Sequence, residues 1–178
     1  MAEDFKLEDE LLTGLFNEAL AQSSRSESFP LPDWFDDDFP YEPHDFVGRG
    51  GSGFVWKARH RSSGEWVALK VIVFQGDVLS GRERWLREAR IAGSVKHEHL
   101  IGIHDSGLAP DGISGWLALE WIEGSDLHQH FRQNALLSWD DLAPMVQQIC
   151  QGLGALHQGG LIHRDLKPSN LLLSLIHI

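Results

Sequence analysis

The sequence has one cysteine and no long apolar stretch. Because Cys150 is the one cysteine, an intramolecular disulfide is excluded, which fits a reducing compartment. No segment approaches the ~20 apolar residues that a helix needs to span a bilayer. Residues 1–4 lack the basic start of a secretory signal, and no apolar centre follows them. We therefore predict a cytoplasmic protein with no membrane segment in this sequence.

Positive charge is scarce at the start of the chain. Residues 1–43 contain twelve acidic and two basic residues, a net charge of −10. The other 135 residues contain fourteen acidic and thirteen basic residues and are nearly neutral. An acidic segment repels nucleic-acid phosphates, so we expect no nucleic-acid partner.

Two regions precede the main pattern of the chain. Residues 1–21 form an acidic extension, and apolar residues at helical spacing predict an amphipathic helix at residues 7–21. This helix either packs on its own domain or docks a partner protein, and the pattern leaves both open. Residues 22–40 are rich in serine, proline and aspartate, which predicts a linker. Its aromatic residues are exceptions that would attach it to a domain surface: Phe29, Trp34, Phe35 and Phe39.

Short strands replace this pattern from Tyr41 onwards. We predict strands at Tyr41–Val47, Phe54–His60, Trp66–Val73, Ile101–Gly107 and Trp116–Ile122. Apolar residues three and four apart predict helices at residues 81–94 and 139–158. The order predicts an α+β fold with a five-stranded antiparallel sheet and one helix in a small lobe, followed by the start of a helical lobe.

A glycine-rich segment lies between the first two predicted strands. Residues 48–55 read Gly-Arg-Gly-Gly-Ser-Gly-Phe-Val and fit the pattern G-x-G-x-x-G-x-V. Glycine lets the backbone approach phosphate oxygens without a Cβ in the way. The rival dinucleotide-binding fingerprint opens a helix, whereas a strand follows Gly53 here. A plain hairpin turn is the other interpretation, and this motif alone does not separate it from phosphate binding.

A lysine stands inside the third, apolar strand. Lys70 follows Val-Ala-Leu, and burial of its charge is costly unless a counter-charge is near. The next helix carries Glu88, which would supply that charge and hold the ammonium against phosphate oxygens. The alternative is a lysine that points outward from a half-exposed strand.

The strongest motif is His-Arg-Asp-Leu-Lys-Pro-Ser-Asn at residues 163–170. Phosphoryl transfer to a hydroxyl needs positioned reactants and compensated charge. Asp165 can accept the hydroxyl proton, Lys167 can steady the phosphoryl group, and Asn170 can ligate magnesium. A polar loop that ends a helix is the alternative, but the glycine loop and Lys70 precede it in the order that the chemistry requires.

Together these motifs resemble those of protein kinases, over about residues 41–172. The sequence around Lys167 resembles the Ser/Thr kinases, and the glycine loop resembles bacterial members. The chain is thus similar to the N-terminal part of a eukaryotic-like bacterial Ser/Thr protein kinase. Phosphotransferases of the aminoglycoside type share the fold and the Asp…Asn pair, but they usually carry glycine where this chain has Arg164.

The resemblance implies ATP and Mg²⁺ as cofactors and Ser/Thr hydroxyls of a protein as substrate. It implies Asp165, Lys167 and Asn170 as catalytic residues, with Asn170 also a magnesium ligand. By this resemblance Val55 and Ala68 would form a roof over the adenine, and Leu119 falls at the gatekeeper position. Residues 120–122 fall at the hinge, whose backbone would bind the adenine, and Asp126 lies where a ribose contact is common. The residues implied to surround ATP are Val47, Gly48, Gly50, Gly53, Val55, Ala68, Lys70, Glu88, Glu120, Ile122 and Asp126.

The sequence departs from the family pattern after Asn170, because no Asp-Phe-Gly follows. We therefore expect the chain as given to bind nucleotide at most. Residues 173–178 match the translation of a sequencing-adaptor end, and we interpret them as an artefact, with a native apolar strand as the alternative. Two other functions stay open: an ATP-binding pseudokinase, and an interaction module centred on the acidic extension.

Overall fold

The computed structural model describes residues 31–50, 53–74, 76–133, 137–163 and 166–174. The helix predicted at residues 7–21 lies outside these residues. The first part of the predicted linker, with Phe29, also lies outside them.

Five antiparallel strands form the main sheet. They are β1 Tyr41–Gly50, β2 Gly53–His60, β3 Trp66–Val73, β4 Ile103–Leu108 and β5 Ser114–Glu120. Their order across the sheet is β1-β2-β3-β5-β4. The central strands β3 and β5 are buried on both faces, which explains their nearly continuous apolar sequences. The predicted α+β fold with a five-stranded antiparallel sheet is confirmed.

One helix, α1 (Val78–Ser94), covers the inner face of this sheet. It begins three residues earlier than predicted because Asp77 caps it, accepting hydrogen bonds from the Leu79 N–H at 3.1 Å and the Ser80 hydroxyl at 2.6 Å. Trp85 is fully buried, and its indole donates to the Gly107 carbonyl at 3.2 Å. A Cβ at Gly115 would collide with that indole, so a glycine in β5 makes room for the helix.

Residues 31–40 cover the outer face of the sheet, and we call them the aromatic strap. Phe39 is buried and lies 5.3 Å from Trp116 and 5.2 Å from Phe35, measured between ring centroids. Arg61 donates to the Phe39 carbonyl at 2.9 Å and to the Asp36 carbonyl at 3.2 Å. At the other end, the Trp34 indole donates to Asp111 at 3.1 Å. This half of the predicted linker is therefore part of the packed small lobe.

The chain then enters a second, smaller assembly. It contains β6 Gly124–Asp126, α2 Leu127–Gln133, α3 Trp139–Gln158, a 3₁₀ turn at Pro168–Asn170 and β7 Leu172–Ser174. A capping box of Ser138 and Asp141 begins α3, and β6 pairs antiparallel with β7. Among the residues that the structure describes, no helix is long and apolar enough to cross a membrane.

The end of α3 docks on the end of α1. Ala92, Leu156 and Leu161 are buried together there, with the half-buried Val95 and Leu153 packed against them. Most of α3 makes no such contact: Val146 is 50% exposed and Trp139 is 75% exposed. The apolar face that the sequence predicted on this helix is thus only partly covered.

Candidate functional site

The glycine loop is the turn of the β1–β2 hairpin. Gly48 pairs with Val55, and Gly50 pairs with Gly53. Gly53 has φ of 151°, and a Cβ there would collide with the Val71 carbonyl of β3. The close approach of β3 therefore requires glycine at this position. The sequence motif alone explains this glycine only by the approach of phosphate oxygens. Residues 51 and 52 lie outside the described part of the chain.

Lys70 and Glu88 lie in the layer between the sheet and α1. Lys70 is 0% exposed and stands on β3 opposite Val55 and Leu117, on the face that α1 covers. Glu88 is 4% exposed and belongs to the buried side of α1. A buried ammonium and a buried carboxylate are each costly to desolvate alone, and opposite charges in the same layer reduce that cost.

An apolar cluster lies on the same face of the sheet as Lys70. Val55, Ala68 and Leu119 are buried in one cluster, at 1%, 2% and 3% exposure, and the half-buried Val47 packs against them. These four residues come from β1, β2, β3 and β5, which strand alternation places on the same face. The structure thus brings together the predicted roof and gatekeeper positions.

The segment at the end of β5, residues 120–122, is held by contacts on two sides. On one side, the Glu120 N–H donates to the Gly102 carbonyl at 2.8 Å, and its carboxylate accepts from the Gly102 N–H at 3.2 Å. Ile122 is half-buried. This is the predicted hinge, and its first residue is anchored to the loop before β4.

On the other side, Trp121 belongs to a cluster that the sequence did not predict. We call this cluster the hinge clamp, and its members are Lys57, Trp66, Trp121 and Glu123. Lys57 of β2 places its ammonium 4.5 Å from the Trp121 ring centroid and 4.8 Å from that of Trp66. Glu123 accepts from the Trp121 indole at 2.7 Å and from Lys57 at 3.3 Å. The Trp121 indole, and then Lys57, lower the pKa of the Glu123 carboxyl below its usual range.

Asp126 has a structural partner in addition to its predicted ribose contact. It is 5% exposed, and its carboxylate accepts from the Gln129 N–H at 2.8 Å. It therefore caps α2, while the Leu127 N–H donates to the Leu171 carbonyl at 2.8 Å. The ribose contact stays a prediction.

The structure describes the catalytic-loop motif on both sides of Arg164 and Asp165, which lie outside the described residues. Lys167 is exposed and precedes the 3₁₀ turn, and the Asn170 N–H donates to its carbonyl at 2.9 Å. Asn170 is half-buried at the end of the 3₁₀ turn, two residues before β7. The proton-accepting role of Asp165 and the magnesium ligation by Asn170 stay predictions. So does the interpretation of residues 173–178, although Leu173 and Ser174 pair with β6.

The chain belongs to the protein kinase domain family, whose model matches residues 41–177. It is 38% identical over 140 residues to the serine/threonine-protein kinase PknH of Mycobacterium tuberculosis, covering 76% of this chain and 21% of that protein. It is 35% identical over 137 residues to the serine/threonine-protein kinase pkn3 of Myxococcus xanthus, covering 75% of this chain and 24% of that protein. The chain therefore spans about a fifth to a quarter of the curated relatives it matches.

A solved structure agrees with this assignment. The crystal structure of the Mycobacterium tuberculosis PknI kinase domain superimposes with a TM-score of 0.68 at 30% identity, covering 82% of this chain and 60% of that one. The resemblance to bacterial Ser/Thr protein kinases is confirmed by these relatives.

Proposed function

We propose that this chain supplies the ATP-binding part of a Ser/Thr protein kinase, which transfers the γ-phosphoryl group of ATP to hydroxyls of a protein substrate. The observation that carries the proposal is the complete burial of Lys70 in the layer that also holds Glu88. Burying an ammonium is costly even when a carboxylate compensates it, and an exposed lysine would avoid that cost, so the burial of Lys70 supports a functional role.

The residues present fit a bound Mg²⁺-ATP. Val55, Ala68 and Leu119 give an apolar wall for a planar base, and Lys70 lies on the same face, where an ammonium can donate to phosphate oxygens. When bound, Mg²⁺-ATP supplies the γ-phosphoryl group and the metal charge that stabilises its transfer.

Each remaining residue has one task in this proposal. Glu88 keeps Lys70 charged and aimed, Asp165 accepts the proton of the attacking hydroxyl, and Lys167 compensates charge on the transferring group. Asn170 offers an amide oxygen to magnesium, and oxygen is the ligand type that magnesium prefers.

The specificity for serine and threonine, the cytoplasmic location and a docking partner for residues 1–21 belong to the same proposal. The relatives' names support the first, since PknH and pkn3 are both named serine/threonine-protein kinases. We place the catalytic domain at residues 41–172, with the aromatic strap added to its small lobe.

The test uses the full-length product of the gene that encodes this chain. Read past Asn170, that gene is expected to encode Asp-Phe-Gly within about 15–20 residues. The product should transfer phosphate from ATP to serine and threonine, not tyrosine, of an acceptor protein in a magnesium-dependent reaction. Asp165→Asn should lower kcat about a hundredfold or more while ATP affinity changes little.

Two results would contradict this proposal in different ways. Unchanged turnover in Asp165→Asn would remove the role given to that carboxylate. ATP binding without transfer by the full-length product would instead identify a pseudokinase.

A further inference from the structure

The hinge clamp joins three elements that the nucleotide site depends on. Lys57 follows Val55 by two residues and therefore lies on the same face of β2, opposite Ala68. Trp66 begins β3, and Trp121 is the middle residue of the hinge. Through Lys57, the strands that form the roof of the site are linked directly to the hinge.

The contacts of the hinge clamp hold the Lys57 ammonium in one position. Ammonium groups within about 6 Å of a tryptophan ring centroid are attracted by the ring quadrupole, and Lys57 satisfies this for two rings at once. Its third partner, Glu123, also accepts from Trp121, so the same carboxylate fixes the cation and the ring. The Lys57 side chain is 22% exposed and that of Glu123 is 60% exposed, so water screens the ion pair and the two ring contacts carry most of the attraction.

We propose that Lys57 is a positioning residue for nucleotide binding, which holds the hinge backbone against the β2–β3 roof by clamping Trp121. This inference rests on the proposed ATP site. Lys57 does not touch the nucleotide in this account. It fixes Trp121, which lies between Glu120 and Ile122. The backbone groups of those two residues are expected to bind the adenine, so a hinge that is already ordered lowers the entropy cost of nucleotide binding.

The chain offers a matched control on the same strand and the same ring. Arg59 lies 5.9 Å from the Trp66 ring centroid and donates to the Gly64 carbonyl at 3.0 Å, in the β2–β3 turn. No contact of Arg59 with Trp121 or Glu123 is seen in the described part of the chain. Arg59→Met thus removes a cation from Trp66 without releasing the hinge, whereas Lys57→Met releases it.

The first experiment measures ATP binding to the whole chain by isothermal titration calorimetry, in wild type, Lys57→Met, Lys57→Arg and Arg59→Met. Lys57→Met should bind ATP about 3- to 10-fold more weakly, from the loss of two cation–π contacts. Lys57→Arg keeps a cation that stacks on tryptophan and should restore most of the affinity. Arg59→Met should bind as wild type does, even if its melting temperature falls.

The second measurement needs no nucleotide. Amide hydrogen exchange of the peptide that spans residues 118–124 should be faster in Lys57→Met than in wild type, with exchange in β3 unchanged. A purely structural lysine would instead destabilise the small lobe as a whole, speed exchange in β3 and lower the binding stoichiometry at constant affinity.

The outcomes separate the two proposals. Equal affinity and equal hinge exchange in wild type and Lys57→Met would overturn the positioning role while leaving the ATP site intact. A wild-type chain that binds no ATP would overturn the proposed function, and the positioning role with it.

Discussion

Replacing Phe39 with alanine should destabilise the small lobe more than any change in the exposed part of the aromatic strap. Phe39 is 7% exposed and contacts four aromatic rings, with centroid distances of 5.1 Å to Trp34, 5.2 Å to Phe35, 5.3 Å to Trp116 and 5.8 Å to Tyr41. Truncating a buried phenylalanine costs about 3–5 kcal/mol, since both the transferred surface and the cavity contribute.

This magnitude can be read as a shift in the unfolding midpoint. With a urea m-value of about 2 kcal/mol per M, the midpoint of Phe39→Ala should fall by about 1.5–2.5 M. Tryptophan fluorescence reports the transition directly, because Trp34, Trp56 and Trp116 lie in the same aromatic layer.

The matched control is Asp38→Ala, one residue away. Asp38 is exposed, so its replacement should change stability by no more than about 0.5 kcal/mol. A urea midpoint for Phe39→Ala equal to that of Asp38→Ala would refute the reasoning and would mean that the strap contributes little to the stability of the small lobe.

Three further predictions concern the N-terminal segment, Tyr41 and helix α3. Deleting residues 1–40, which removes the aromatic strap, should lower the urea midpoint by at least as much as Phe39→Ala, as measured by the same fluorescence, and an unchanged midpoint would contradict the packing of the strap. Burial, helped by the charges of Asp105 and Glu65, raises the pKa of Tyr41 to about 12. The folded chain thus favours the neutral phenol, so the contribution of Tyr41 to stability is full below pH 10 and is lost as the pH rises towards 12. Ultraviolet titration of this single tyrosine should give a midpoint near the raised pKa, and a midpoint near 10 would contradict the prediction. The exposed apolar face of α3 should make the chain self-associate, and Val146→Lys should raise the monomer fraction in sedimentation velocity, while an unchanged fraction would place the association elsewhere.

The fold was predictable where periodicity extends over several residues. The predictions of Trp66–Val73 and residues 139–158 are confirmed to the residue, because a short apolar run in the first and three-to-four spacing in the second leave little freedom there. Strands β6 and β7 were not assigned as a pair, since strands of three residues show no periodicity. Helix α2 was missed for a similar reason: it has seven residues and depends on the Asp126 cap.

The candidate site was predictable to a different extent. The family resemblance implied that Val55, Ala68 and Lys70 surround ATP, and the structure places these three side chains on one face of the sheet, while the ATP contact stays a prediction. The hinge clamp was not predictable, because Lys57, Trp66 and Trp121 come from separate elements and meet only after the hinge folds back towards the sheet. The aromatic residues of the strap predicted that it attaches to a domain surface, but they did not predict that this surface is the outer face of the sheet.

Binding of Mg²⁺-ATP to the chain, in wild type and in Lys70→Met, tests the central claim most directly. Methionine matches the lysine stem and removes the charge, and a hydrogen bond to a charged group contributes about 1.5–3 kcal/mol, so affinity should fall about tenfold or more. Circular dichroism should show that the small lobe stays folded. One ATP per wild-type chain, with weakened binding in the variant, is the predicted result. Equal affinity in both chains, or a variant that loses its melting transition together with its binding, would contradict the claim that Lys70 is buried in order to hold phosphate.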